Sequence, residues 1–334
     1  MRAIIAAALL ALVGFMAGPG SAWAHEVRPA YLQLTERPDG RLDVLWKQPS
    51  AGQVGVRLDP EISGGLLNRR PSTISAAANF EIKTWIGIDP GKQGLKGRTV
   101  AIAGLERTIT DALLVVQLAN GDRIQEVLHP ISPSLTISST HSGVAVPAYL
   151  VLGVNHILTG FDHLMFVLGL LLLVRSLPTL LKTITAFTIA HSITLAATSL
   201  GVLHVTPSLV EAMVAMSIVF LAVELARARR GETGLTIRFP WLIAFTFGLL
   251  HGAAFAGALA EIGLPKDAIP MSLFLFNVGV EIGQLTFVGA VLAVIWLIRR
   301  LPKPLPAWSH AVPAYAIGAA AAFWFIERLH TAFA

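Results

Sequence analysis

The chain contains no cysteine. That absence removes disulfides, thiolate metal sites and cysteine nucleophiles together. A metal handled by this protein has to be met by His, Asp, Glu or Asn. Charge is also scarce, at 13% of residues against 54% hydrophobic, a balance that requires part of the chain to sit in a membrane. No nucleotide-binding motif is present, so any transport would draw on an ion gradient, the membrane potential or a downstream sink. The net charge of +5 does not indicate a nucleic-acid partner, because most basic residues cluster between apolar segments.

What is present divides a chain of 334 residues into unlike parts. Residues 1–24 read as a secretory signal peptide, with Arg2, an apolar run from Ile4 to Met16, and the small-x-small pattern Ala22-Trp23-Ala24. Residues 25–130 alternate like strands. Asp39-Gly40 and Asn120-Gly121 mark two hairpin turns, and Phe80 to Ile88 supplies a further strand. This predicts a small exported β-sandwich-like domain. Residues 131–146, rich in Ser, Thr and Pro, read as a linker. Residues 147–330 read as an all-α polytopic bundle of six transmembrane helices, near 147–175, 183–203, 207–226, 240–262, 269–298 and 311–327.

The basic residues of loops one, three and five are Arg175 and Lys182, then Arg227, Arg229, Arg230 and Arg238, then Arg299, Arg300 and Lys303; the opposite loops, 204–206 and 263–268, carry only Lys266 among Lys and Arg. By the positive-inside rule the β domain and the C-terminus both face away from the cytoplasm, across a bacterial-type inner membrane.

The most informative run is Asn155-His156-Ile157-Leu158-Thr159-Gly160-Phe161-Asp162-His163, at the head of the first apolar segment. Ionisable groups at that depth are costly unless paired, hydrated or bound to an ion. Positions seven apart on a continuous helix differ by only about 20°, so the spacing places His156 over His163 and Asn155 over Asp162. Two imidazoles beside a carboxylate suit a divalent metal.

Further polar groups lie deeper in the bundle. His191 lies one turn from Thr188 on the second segment. On the third, Ser208 to Glu211 reads as a capping box after Pro207, and Glu224 as a partner of Arg227; either glutamate also qualifies as a pathway carboxylate. Gly248 and Gly252 form a small-xxx-small surface that can bring His251 close to a neighbouring helix, and Gly279 and Gly283 form another. Asn277, Glu281 and Gln284 share one stripe of the fifth segment. His156, Asp162, His163, His191, His251 and Glu281 are most simply accommodated if they converge. The expectation is a primary site of His156, Asp162 and His163. Glu281, His251 and His191 form a second site or an exit, with Asn155, Thr188, Asn277, Gln284 and Glu211 in support.

At these residues the chain resembles the HupE/UreJ family of membrane proteins. The resemblance rests on His156-x5-Asp162-His163, on Phe247-Gly-Leu-Leu-His-Gly-Ala-Ala-Phe-Ala-Gly257, and on Phe276-Asn-Val-Gly-Val-Glu-Ile-Gly-Gln284, and it covers roughly residues 147–328. It implies nickel or cobalt uptake of the kind that serves hydrogenase and urease maturation. The first motif matches position for position. In the second, His251 and Gly252 match, while Phe247 and Ala254 stand where hydrogenase-linked members carry histidine and glutamate.

Three functions remain open on the residues. The first is a divalent transition-metal permease, with Zn or Cu as further cargoes for imidazole and carboxylate. The second is an intramembrane zinc-dependent hydrolase. The third is a copper-binding exported module in which His25, as mature N-terminus, offers an amine and an imidazole, with His129 or His141 as third ligand. The expected partners are the lipid bilayer, the metal ion, and a second copy of the chain or an exported metal donor.

Overall fold

The computed structural model describes residues 29–49, 57–77, 80–91, 94–108, 110–138, 146–262, 269–300 and 311–333. Residues 1–24, read above as a signal peptide, and His25, His141, Lys266 and Lys303 lie outside them. The chain forms two compact units that divide between Leu152 and Gly153.

The first unit is built of strands. β1 (Ala30–Glu36), β2 (Leu42–Pro49), β4 (Thr73–Ala77), β5 (Phe80–Ile88), β7 (Ala112–Gln117) and β8 (Arg123–Leu128) form one sheet in the order β4-β5-β2-β1-β7-β8. β3 (Asp59–Ile62), β6 (Thr99–Ala103) and β9 (Ser134–Thr136) form a second sheet in the order β3-β6-β9. All pairings are antiparallel except β1 with β7. Alternation decides the faces: along β2 every second residue is buried, and Leu42, Val44 and Trp46 join Val100 and Ile102 of the second sheet in one core.

Both predicted hairpins form. Gly40 and Gly121 adopt φ of 78° and 89°, a region open to glycine at little cost. Asp39 and Asn120 accept from the backbone amides two residues on, at 3.0 and 3.1 Å. One boundary differs from expectation. β9 lies inside the stretch read as linker, because Thr99 to Ala101 need a partner strand and Ile137 is wholly buried in the same core.

The helices are α1 (Val146–Thr159), which enters the second unit at Gly153, and α2 (Phe161–Leu173), α3 (Leu177–Ser199), α4 (Pro207–Arg229), the single turn α5 (Leu235–Arg238), α6 (Pro240–Ile262), α7 (Ile269–Arg299) and α8 (Val312–Phe333). Leu177–Ser199, Ser208–Arg229 and Pro270–Leu297 are long and apolar enough to cross a membrane, and the pair α1–α2 makes a fourth if read as one span. Pro240–Ala254 is a shorter apolar stretch. Six separate spans were expected; among the described residues, length and hydropathy support three or four. One cause is the end of α8, where Glu327, Arg328 and His330 interrupt the apolar run.

One expected local device is replaced, and another forms with an added partner. α4 starts at Pro207 with Thr206 as its cap rather than at Ser208, and the Thr206 side chain makes no cap hydrogen bond. Glu224 is 3% exposed and stands 4.0 Å from Arg227. Its nearer partner is the Thr236 amide at 3.0 Å, so it ties the turn α5 back to the end of α4.

Candidate metal centre

The first apolar segment does not run straight. α1 and α2 meet at 72°, so His156 and His163 are not stacked along one helix as the seven-residue spacing suggested. They meet because the chain breaks between them. The Gly160 amide donates to the His156 carbonyl at 3.0 Å, and the Gly160 carbonyl accepts from Leu164 at 3.0 Å as α2 begins. The break needs glycine for space: a Cβ there would stand 2.7 Å from the His156 carbonyl oxygen and 3.0 Å from His163 Nδ1. Across the bend the two imidazole centres are 4.7 Å apart.

Glycines also set the other two histidines in place. A Cβ on Gly248 would come within 2.6 Å of the Phe187 carbonyl oxygen, and one on Gly252 would overlap the His191 carbonyl and the Thr194 hydroxyl. α6 therefore lies backbone to backbone against α3, as small-xxx-small spacing predicts. His251 is carried to 4.9 Å from His163, and His191 to 5.9 Å from His163 and 6.0 Å from His156. Gly153 of α1 abuts the Phe276 carbonyl of α7, and Gly283 faces Val154 and Ile157. These contacts seat His156 5.4 Å from the Phe276 ring.

Four imidazoles from α1, α2, α3 and α6 thus share one region, walled by Phe166, Phe187 and Phe276. Phe247, where the resemblance expects histidine, extends this wall against Phe166 at 5.9 Å. His191 and His251 are fully buried and His163 nearly so. Nε2 of His163, both ring nitrogens of His191 and Nδ1 of His251 lack hydrogen-bond partners among the described residues. Buried polar atoms of that kind are normally satisfied, and imidazole nitrogens left over in a cluster have the donor character a metal requires. Two imidazoles on one tetrahedral ion with bonds of ~2.1 Å hold their ring centres about 5 Å apart, which is the scale observed. As the rings stand, no three His, Asp or Glu side chains among the described residues could hold a metal ion. Shared ligation requires the rings to turn.

Asp162 faces away from a purely ligating role. Its Oδ1 accepts from the His163 amide at 3.0 Å and from His163 Nδ1 at 3.2 Å, and its Oδ2 accepts from Arg328 Nη2 at 3.2 Å. Arg328, on α8 and 4% exposed, also donates from Nη1 to the Glu211 carbonyl at 3.0 Å. The Glu211 backbone carbonyl is thus tied to the same guanidinium.

Glu281, half-buried on α7, accepts from the Thr185 hydroxyl at 2.7 Å rather than meeting a histidine ring. Thr188 donates to Gln284 at 3.0 Å. Asn277 donates to its own helix at Leu273, 2.8 Å away. Asn155 lies partly buried beside His156, and its carbonyl accepts from Thr159 at 2.7 Å. The stripe on α7 is thus a separate polar seam against α3. In the β unit, His129 pairs with Asp111 at 2.8 Å.

Sequence reading missed Arg328, the phenylalanine wall and Ser217, whose hydroxyl stands 3.1 Å from His251 Nε2. A lone arginine at the end of an apolar segment was the available signal for the first.

No curated protein and no solved structure matches the chain. Residues 133–328 match the family described as HupE / UreJ protein. With the histidine cluster standing on the motifs of that stretch, the chain belongs to the HupE/UreJ family.

Proposed function

We propose that the protein is a permease for a divalent transition metal, nickel or cobalt before zinc or copper. The HupE/UreJ family is associated with nickel and cobalt transport. The observation that carries the reading is the meeting of His156, His163, His191 and His251 from four helices, with ring centres 4.7 to 6.0 Å apart where neighbours are in contact. In this reading α1–α2 is one broken span, and α3, α4, α6, α7 and α8 complete six in the inner membrane. The signal segment is removed and the β unit is exported, as the basic loops imply.

The chemistry suits passage rather than retention. Imidazoles are neutral ligands, and Asp162 is balanced by Arg328. A divalent ion is therefore recognised by nitrogen geometry without a surplus of negative charge to trap it. Broken helices at a buried site are a recurrent way for transporters to expose ligands to each side in turn. The seam of Thr185, Glu281, Thr188 and Gln284 supplies the onward path. Purified protein in proteoliposomes should accumulate Ni or Co, and His163→Ala and His191→Ala should each lose most of that uptake. Equal uptake by parent and both variants would overturn the reading.

A further inference from the structure

We infer that Arg328 is a positioning residue of the metal centre: it holds Asp162 as the orienting partner of His163 and keeps that carboxylate off the cargo. This rests on the permease reading above and adds how the site is tuned for release.

The geometry is a chain of three side chains. Arg328 reaches from α8 with both ends of its fork engaged, Nη2 to Asp162 Oδ2 at 3.2 Å and Nη1 to the Glu211 carbonyl at 3.0 Å. A guanidinium keeps its charge and its planar fork, so Asp162 is fixed in position and remains an acceptor. The other carboxylate oxygen faces His163 Nδ1 at 3.2 Å. An acceptor-only carboxylate requires that nitrogen to donate. His163 is thereby set in the tautomer whose Nε2 lone pair is available, and Nε2 is the buried His163 atom without a protein partner among the described residues. A carboxylate behind a ligating imidazole fixes its ring and raises its basicity.

Arg328 has a second effect through its charge. With it, the carboxylate and guanidinium cancel. Without it, Asp162 leaves a net negative charge next to the imidazoles, and a divalent cation is held more tightly and released more slowly. A pair that served only to pin α8 to the bend would behave otherwise. Loss of either partner would then loosen the site and weaken binding.

The test compares full-length protein in nanodiscs and proteoliposomes, with Co(II) as probe and ¹⁵N-labelled histidine read by NMR. Arg328→Gln should bind Co(II) about tenfold more tightly with a lower KM and a lower maximal uptake, while Asp162→Asn binds about tenfold more weakly. The double variant should return to within about threefold of the parent. His163 should show a protonated Nδ1 in the parent and a mixed tautomer in both single variants. Weaker Co(II) binding in Arg328→Gln, or an unaltered His163 tautomer, overturns the inference. Should Arg328→Gln fail to insert, Arg328→Lys keeps the charge and loses the fork: unchanged affinity with a mixed tautomer supports the inference, and an unaltered tautomer overturns it. If the parent binds no Co(II), the permease reading falls on its own. The tautomer measurement then still decides whether Arg328 orients His163.

Discussion

Gly252→Ala is the sharpest probe of how the histidines are assembled. The added Cβ would stand 2.9 Å from the His191 carbonyl carbon, and closer to the carbonyl oxygen and the Thr194 hydroxyl. Carbon–carbon contact is comfortable only from about 3.5 Å, so α3 and α6 have to part by ~0.6 Å or more at this crossing. The obstacle is backbone, which cannot rotate away as a side-chain tip would. Overpacking of this kind costs about 1–3 kcal/mol. The displacement acts at His191 itself and one residue from His251. Gly289→Ala on α7 is the internal control, because nothing lies within 4 Å of its Cβ position. Helix propensity alone should then leave it neutral or stabler by up to ~1 kcal/mol. Denaturation midpoints in detergent and Co(II) uptake in proteoliposomes should separate the two: Gly252→Ala less stable and several-fold slower, Gly289→Ala unchanged or stabler with normal uptake. If Gly252→Ala matches Gly289→Ala in both assays, the helices do not meet as described and the cluster loses its scaffold.

Gly160→Ala should cut uptake while the protein still inserts, since the bend that brings His156 to His163 has no room for a Cβ; parental uptake would show that the bend is dispensable. Glu281→Gln should slow transport without weakening equilibrium Co(II) binding, because its carboxylate faces Thr185 and not the imidazoles; a loss of binding would place it in the primary site. Glu224→Ala should expose the connection between α4 and α6 to limited proteolysis by freeing the Thr236 amide, with little effect on metal content. Reporter fusions after Arg230 and after Ala334 should mark opposite sides of the membrane, and the same side for both would overturn the six-span arrangement.

Sequence pattern carried the β unit far, because its signals are local. Asp39-Gly40 and Asn120-Gly121 fix turns within a few residues, and alternation fixes which face of β2 is buried. The pairing of β1 with β7 is parallel and remote in sequence, so no turn announced it. In the helical unit the histidines stood out as polar groups in apolar runs, and Gly248 and Gly252 correctly announced a close helix crossing. The straight stacking of His156 and His163 failed because helical periodicity assumes an unbroken backbone. The Gly160 break is set by crowding with His156 and His163. The role of Arg328 was missed for a related reason: its partners, Asp162 and the Glu211 carbonyl, lie on other helices.

The placement of β9 has a consequence for how this chain can be made. β6 pairs with Ser134–Thr136, and Ile137 closes the core, while α1 begins at Val146. The residues that complete the three-stranded sheet are thus synthesised last among the strands, just ahead of the first apolar helix. A nascent chain has every strand of the β unit only a few residues before the first apolar helix follows, so closure of the sheet comes immediately before that helix emerges. A fragment ended at Leu128 should behave as an unfinished sheet, open to protease at β6, whereas one ended at Ser138 should resist it.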